Sequence, residues 1–163
     1  MTINFDPITN AERAKNGAVI TDLHTELAVA AGSIPSAAER AEIGRALAEV
    51  HHGGRIEAVE AVSVASGLLA DLFHCADGHI SPRVLLDAAA CEQRAMVSMA
   101  GNLLSLGEDG RPGRVVCAVA AVLDWAAWAG MCAEAVVTLA HGRWAEEAEE
   151  ERFAHVRAAR SRH

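Results

Sequence analysis

The sequence predicts an all-α protein, a single-domain bundle of five or six helices around one central apolar helix. Residues 115–139 are almost entirely Val, Ala, Leu, Met, Cys and Trp, and a helix that is apolar on every side has to be buried. Neighbouring segments repeat apolar residues at intervals of three and four, and no stretch alternates apolar and polar residues as a half-buried strand would. At 163 residues, the whole chain (1–163) suits one domain with a core of its own.

Composition and charge limit the classes of function. An apolar content of 52% excludes general disorder, and a net charge of −8 argues against nucleic acid or an anionic membrane as partner. The N-terminus lacks the basic and apolar regions of a signal peptide. The cysteines form no CxxC pair, so we expect free thiols in a reducing cytoplasm: Cys75, Cys91, Cys117 and Cys132.

Capping boxes mark the first two helices. The S/T-x-x-E pattern occurs at Thr9–Glu12 and again at Ser36–Glu39. The first helix is predicted at residues 9–31, and the second runs from residue 36 to the glycine pair at 53–54.

Two further helices precede the central one. The third is predicted from about residue 55 to 75, and Ser81–Pro82 is typical of an N-cap followed by proline at the first helical position. The fourth helix is expected to continue to about residue 106, with an apolar seam in which Glu92 is the one charged member. A glycine-rich loop then covers residues 107–113.

The central helix is predicted at about residues 114–141, with His141–Gly142 closing it. A charged last helix is expected at about 144–160, acidic first and basic later. Residues 115–139 are also long enough to span a bilayer. Asp124 near their middle would cost about 2.5–3.5 kcal/mol there, so we expect no membrane span.

Four polar residues fall on one side of the predicted third helix, within an arc of about 100°. Carboxylates and a histidine on one face can hold Mg²⁺ or Mn²⁺ when a facing helix adds ligands. The alternative is an amphipathic helix that turns its charged face to water. The candidate metal ligands are Glu57, Glu60, Asp71 and His74.

The segment Glu57-Ala-Val-Glu60 resembles the ExxE half of the magnesium site in all-α nucleoside triphosphate pyrophosphohydrolases of the MazG type. That resemblance implies a metal-dependent phosphohydrolase as the alternative function. The second half of the motif, ExxD, is not matched, because Leu68 stands three residues before Asp71 and no ExxD follows.

Three acids lie in apolar surroundings in the sequence: Glu92, Asp124 and Glu134. A buried carboxylate needs a partner, so each is expected to form an ion pair or hydrogen bond (Arg94 or a histidine being candidates), to reach the bundle edge, or to serve as a pocket acid or metal ligand. Trp125 and Trp128 are predicted to form a core or subunit-contact patch, and Trp144 is also an expected interface residue.

Residues 69–92 resemble a segment of short uncharacterised helical proteins of actinobacteria and their phages, through Leu69-Ala-Asp-Leu-Phe-His-Cys-Ala-Asp77 and the Leu85–Glu92 stretch. The tyrosine typical of that segment is missing, since the chain has no Tyr. The resemblance implies a phage or mobile-element context and assigns no activity to any residue.

The function expected from these observations is non-enzymatic: a helical interaction or assembly protein that binds itself or another protein, as a homo-oligomer or as a subunit of a larger complex. The charged C-terminal helix is the expected partner-facing element. No cofactor, nucleic acid or membrane is expected, and Mg²⁺ or Mn²⁺ belongs only to the phosphohydrolase alternative.

Overall fold

A computed structural model describes residues 9–31, 35–94 and 111–160, and within these ranges the chain is helical throughout apart from short turns. The predicted all-α fold is confirmed. The helices of the described part are α1 (Asn10–Ala31), α2 (Ala37–His52), α3 (Ala61–Ala76), α4 (Pro82–Arg94), α5 (Arg111–Trp128) and α6 (Ala133–Arg160).

Both predicted capping boxes are formed. The Thr9 backbone N–H donates to Glu12 Oε2 at 2.8 Å, and the Glu12 backbone N–H donates to Thr9 Oγ1 at 3.2 Å. The corresponding distances between Ser36 and Glu39 are 2.7 and 3.3 Å. These reciprocal bonds satisfy N–H groups that have no partner inside the helix, and so they fix where α1 and α2 begin.

Helix α5 forms the centre of the bundle. Almost every side chain between Val115 and Ala126 is buried, and α5 contacts each of α1, α2, α3 and α4. Helix α6 lies mainly against α3. No helix in the described ranges is both long and apolar enough to cross a membrane.

The predicted central helix is in fact two helices, which is a correction to the boundaries 114–141. Gly130, at φ 72°, ends α5 in the left-handed conformation that glycine adopts without strain. Its N–H donates to the Ala127 carbonyl at 3.1 Å and the Met131 N–H donates to the Ala126 carbonyl at 2.8 Å, a Schellman motif. Helix α6 then runs unbroken through residues 141–142, where we expected an end, so the predicted last helix 144–160 is its second half.

Two other boundaries differ from the prediction, the start of α5 and the start of α3. Helix α5 begins at Arg111, inside the predicted loop 107–113. Helix α3 begins at Ala61 rather than near residue 55, so Glu57 and Glu60 lie in the turn before it. Helix α4 is described as far as Arg94, and the remainder of the predicted fourth helix and its seam lies outside the described residues.

Candidate functional site

Five polar side chains from four helices meet between α1, α3 and α6, and we call this group the polar clamp: Arg13, His51, Asp71, His74 and Glu147. Asp71 and His74 are three residues apart on α3, so they lie on one side of that helix. Each of these two residues is only 4% exposed. A buried charged group needs a partner, so the contacts of Asp71 and His74 determine the chemistry that the clamp can perform.

Asp71 is contacted from α1 and α2. His51 Nε2 lies 3.0 Å from Asp71 Oδ2, and Asn16 Nδ2 donates to the same oxygen at 3.5 Å. The other oxygen, Oδ1, is 3.7 Å from the Arg13 guanidinium. Both carboxylate oxygens therefore have partners inside the bundle.

Glu147 is the matching carboxylate on α6. Arg13 binds Glu147 Oε1 at 3.0 Å, and His74 Nε2 lies 2.9 Å from Oε2. Asn10 Nδ2 also donates to the Glu147 main-chain carbonyl at 3.4 Å. One guanidinium thus bridges two acids on different helices.

The close packing of α1 on α3 brings Arg13 and Asn16 within reach of Asp71. At Gly17 a Cβ atom would overlap the Asp71 carbonyl oxygen and lie 2.7 Å from Cys75 Cβ. On the α6 side, the Trp144 ring lies against His74 with ring centroids 6.5 Å apart. The four carboxylate oxygens of the clamp all have a partner, so the clamp ties α1, α2, α3 and α6 together.

The predicted metal ligands do not converge. Glu57 and Glu60 are exposed in the turn before α3, whereas Asp71 and His74 are buried in the polar clamp. Within the described ranges, no group of three or more His, Cys, Asp or Glu side chains is arranged to hold a metal ion. The alternative in which this face of α3 meets water is also wrong for Asp71 and His74.

The partner of Asp124 is a cation from a helix distant in the sequence. Arg40 Nε of α2 donates to Asp124 Oδ2 at 2.6 Å, and Gln93 Nε2 of α4 donates to Oδ1 at 2.7 Å. Arg40 also donates to the Gln93 carbonyl at 3.2 Å. The acid is therefore part of a structural ion pair that joins α2, α4 and α5, and its cation is Arg40 rather than Arg94 or a histidine.

Neither of the other two predicted buried acids is buried, and exposure at the bundle edge is one of the outcomes expected for Glu134. Glu134 is exposed in the first turn of α6, and Glu92 is half-buried on α4. Trp125 is 7% exposed and belongs to the core of its own chain, while Trp128 is 69% exposed. Because these two side chains and the half-buried Trp144 have different environments, they do not form one contact patch.

One buried histidine lies outside these networks. His24 on α1 is 7% exposed, and burial lowers its pKa from 6.5 to about 4, although the charge of Glu92 raises it slightly. His24 is therefore neutral near pH 7, which makes it a pH-sensitive part of the core.

The C-terminal part of α6 has an environment unlike the rest of the described chain. Every residue from 152 to 160 is exposed, and we call this stretch the exposed arm. It carries two large apolar side chains, Phe153 at 59% and Val156 at 49% exposure. The helix presents acids just before the arm and arginines within it, so its two ends carry opposite charge.

The clamp has no local signature in the sequence, because its members are far apart in the chain. Arg13, His51 and Glu147 had no local pattern to single them out, and Asp71 joins them only when α1, α2 and α6 pack together. The ion pair of Arg40 and Asp124 likewise links residues 84 positions apart.

Comparisons with known proteins give no match: no family model fits the chain, and neither a curated protein nor a solved structure is similar to it.

Proposed function

We propose that the protein is a helical interaction protein that binds another protein chain through the exposed arm of α6. The observation that carries the proposal is a helix that continues past the bundle with all of residues 152–160 exposed, including Phe153 and Val156. Single exposed apolar residues are common. Two of them one helical turn apart, on a stretch of helix that is exposed on every side, favour a docking function.

We also propose a reducing cytoplasm as the compartment, and the cysteines support this. All four cysteines lie in the described ranges as thiols rather than disulfides, and Cys91 and Cys132 are exposed. Exposed thiols favour a reducing cytoplasm, because an oxidising compartment would modify them.

Truncation after residue 151 tests the proposal. Earlier cuts would remove Trp144 and Glu147, which pack against His74 in the polar clamp, and would confuse binding with folding. We expect the full chain to migrate as a larger species than a monomer in size-exclusion chromatography of a native lysate. The 1–151 chain should migrate as a monomer and keep its helical circular dichroism and melting temperature. Equal migration of the two chains as monomers would contradict the proposal.

A further inference from the structure

We propose that the partner of the exposed arm is a second copy of this chain, which packs antiparallel along one seam of α6. This inference rests on the proposed function and names its partner. The seam consists of Glu149, Phe153, Val156 and Arg160, all of them exposed.

The spacing of these residues is that of a helix–helix seam. They follow one another at intervals of four, three and four, the repeat that keeps side chains on the contact side of two supercoiled helices. At 100° per residue they fall within an arc of about 60°. The seam lies opposite the side that α6 packs on the bundle, where Val136 and Ala140 are buried.

An antiparallel pair places complementary side chains against each other. When Phe153 of one copy faces Val156 of the other, the antiparallel geometry brings Glu149 of each copy to Arg160 of the other. The two inner layers are then apolar, and the two outer layers are ion pairs. Just beside the seam, Glu150 of one copy approaches Arg157 of the other, which adds a further pair of opposite charges.

A parallel arrangement is disfavoured by the same residues. In register it would place Glu149 on Glu149 and Arg160 on Arg160, and like charges at facing positions repel. The sorted charges of α6 therefore favour the antiparallel direction for a second copy. The contact covers about 16 Å of helix, so we expect a reversible, concentration-dependent dimer.

The main test exchanges charges across the proposed contact. In sedimentation experiments, the apparent mass of the purified full chain should rise with its concentration, from the 17.1 kDa monomer towards twice that mass. Glu149→Arg places two arginines against each other at both ends of the contact, and Arg160→Glu places two glutamates there. Each variant should dissociate about tenfold more readily than the unchanged chain.

Two ways of combining the charge reversals, in one chain or in a mixture of two chains, make the test specific. The double variant Glu149→Arg with Arg160→Glu restores opposite charges at both ends, so its self-association should recover. Mixing the two single variants also restores both pairs, so they should bind each other better than either binds itself. A parallel in-register dimer would also gain opposite charges in the mixture, but it predicts no weakening by either single variant and no recovery in the double variant. An unrelated contact predicts neither recovery.

Matched controls separate the seam from charge and exposure in general. Glu26→Arg changes the charge by the same amount on α1, and Trp128→Ala removes an exposed aromatic ring away from the arm. Both should leave self-association unchanged. Phe153→Ala should weaken it about tenfold, because an apolar side chain leaves the centre of the contact. Circular dichroism of each variant checks its fold.

The results distinguish this inference from the proposed function. A purified chain that stays at 17.1 kDa at every concentration, or charge exchange without recovery, overturns the second-copy proposal. If the full chain but not the 1–151 chain still forms a larger species in the lysate, the proposed function stands with a different partner. If neither does, both proposals fall.

Discussion

Replacing Gly44 by alanine tests the packing of α2 against the central helix α5. Gly44 is buried where the two helices meet. A Cβ atom there would overlap the Ala121 carbonyl oxygen, and it would lie 2.6 Å from the carbonyl carbon of that residue and 3.0 Å from Trp125 Cβ. Since non-bonded carbon atoms prefer about 3.5–4.0 Å, the helices would have to separate by about 1 Å.

Two opposing effects determine how far Gly44→Ala changes the free energy of unfolding. Alanine is favoured over glycine inside a helix by up to about 1 kcal/mol. Forcing extra atoms into a packed core typically costs about 1–3 kcal/mol, and more where the obstacle is backbone that cannot rotate away. We therefore expect Gly44→Ala to lower the free energy of unfolding by about 2 kcal/mol. For a domain of this size the melting temperature should fall by about 4–8 °C.

Gly142→Ala is the matched control. Gly142 also lies inside a helix, but it is exposed and a Cβ atom there meets nothing within 4 Å. Only the helix preference acts, so its melting temperature should rise by up to about 2–4 °C. Thermal and urea unfolding followed by circular dichroism measure both variants. If Gly44→Ala is as stable as the unchanged chain, or is stabilised like Gly142→Ala, the close α2–α5 approach is refuted.

Three further predictions concern the buried polar groups. Arg13→Met should lower the free energy of unfolding by about 1–3 kcal/mol in urea titrations, because Asp71 keeps its burial and loses its cation; unchanged stability would mean that the clamp contributes little. Asp124→Asn should cost about 1–3 kcal/mol in the same assay, because Arg40 loses its charged acceptor, and a stabilised variant would contradict this reading. The pKa of His24 in the folded chain is lowered to about 4, so the unfolded chain takes up a proton first as the pH falls. The resulting contribution to stability, on the order of 3 kcal/mol, is present above pH 6.5 and is lost between pH 6.5 and about 4. His24→Leu should make that decline shallower, and an equally steep decline would show that other groups cause it.

Local patterns in the sequence predicted local structure. The capping boxes at Thr9 and Ser36 form as expected, because every group involved lies within four residues of its partner. The helix end at Gly130 was missed, because the apolar residues around it looked continuous and outweighed one glycine in a periodic pattern. His141–Gly142 was interpreted as a helix end, yet Gly142 is tolerated there because α6 already packs on α3 through Val136 and Ala140.

The candidate site was less accessible to sequence reasoning. The spacing of Asp71 and His74 correctly places them on one side of α3, but the expected companions Glu57 and Glu60 precede that helix. Their true partners come from other helices, and one sequence without its fold contains no signal that pairs residue 71 with residues 13 and 51. The resemblance of residues 69–92 to phage and actinobacterial proteins stays a prediction.

The polar clamp lies at the junction between the two halves of α6, the half that packs on α3 and the exposed arm. The first half is fixed by apolar burial at Val136 and Ala140, while the exposed arm has too little apolar surface to pack on its own bundle. Glu147 lies between them, and its two carboxylate oxygens are bound by Arg13 and His74. Two such contacts at one residue restrain rotation of α6 about its axis. Because Glu149 is only two residues further on, the clamp determines which side of the arm faces away from α3, and thus where a second chain can dock.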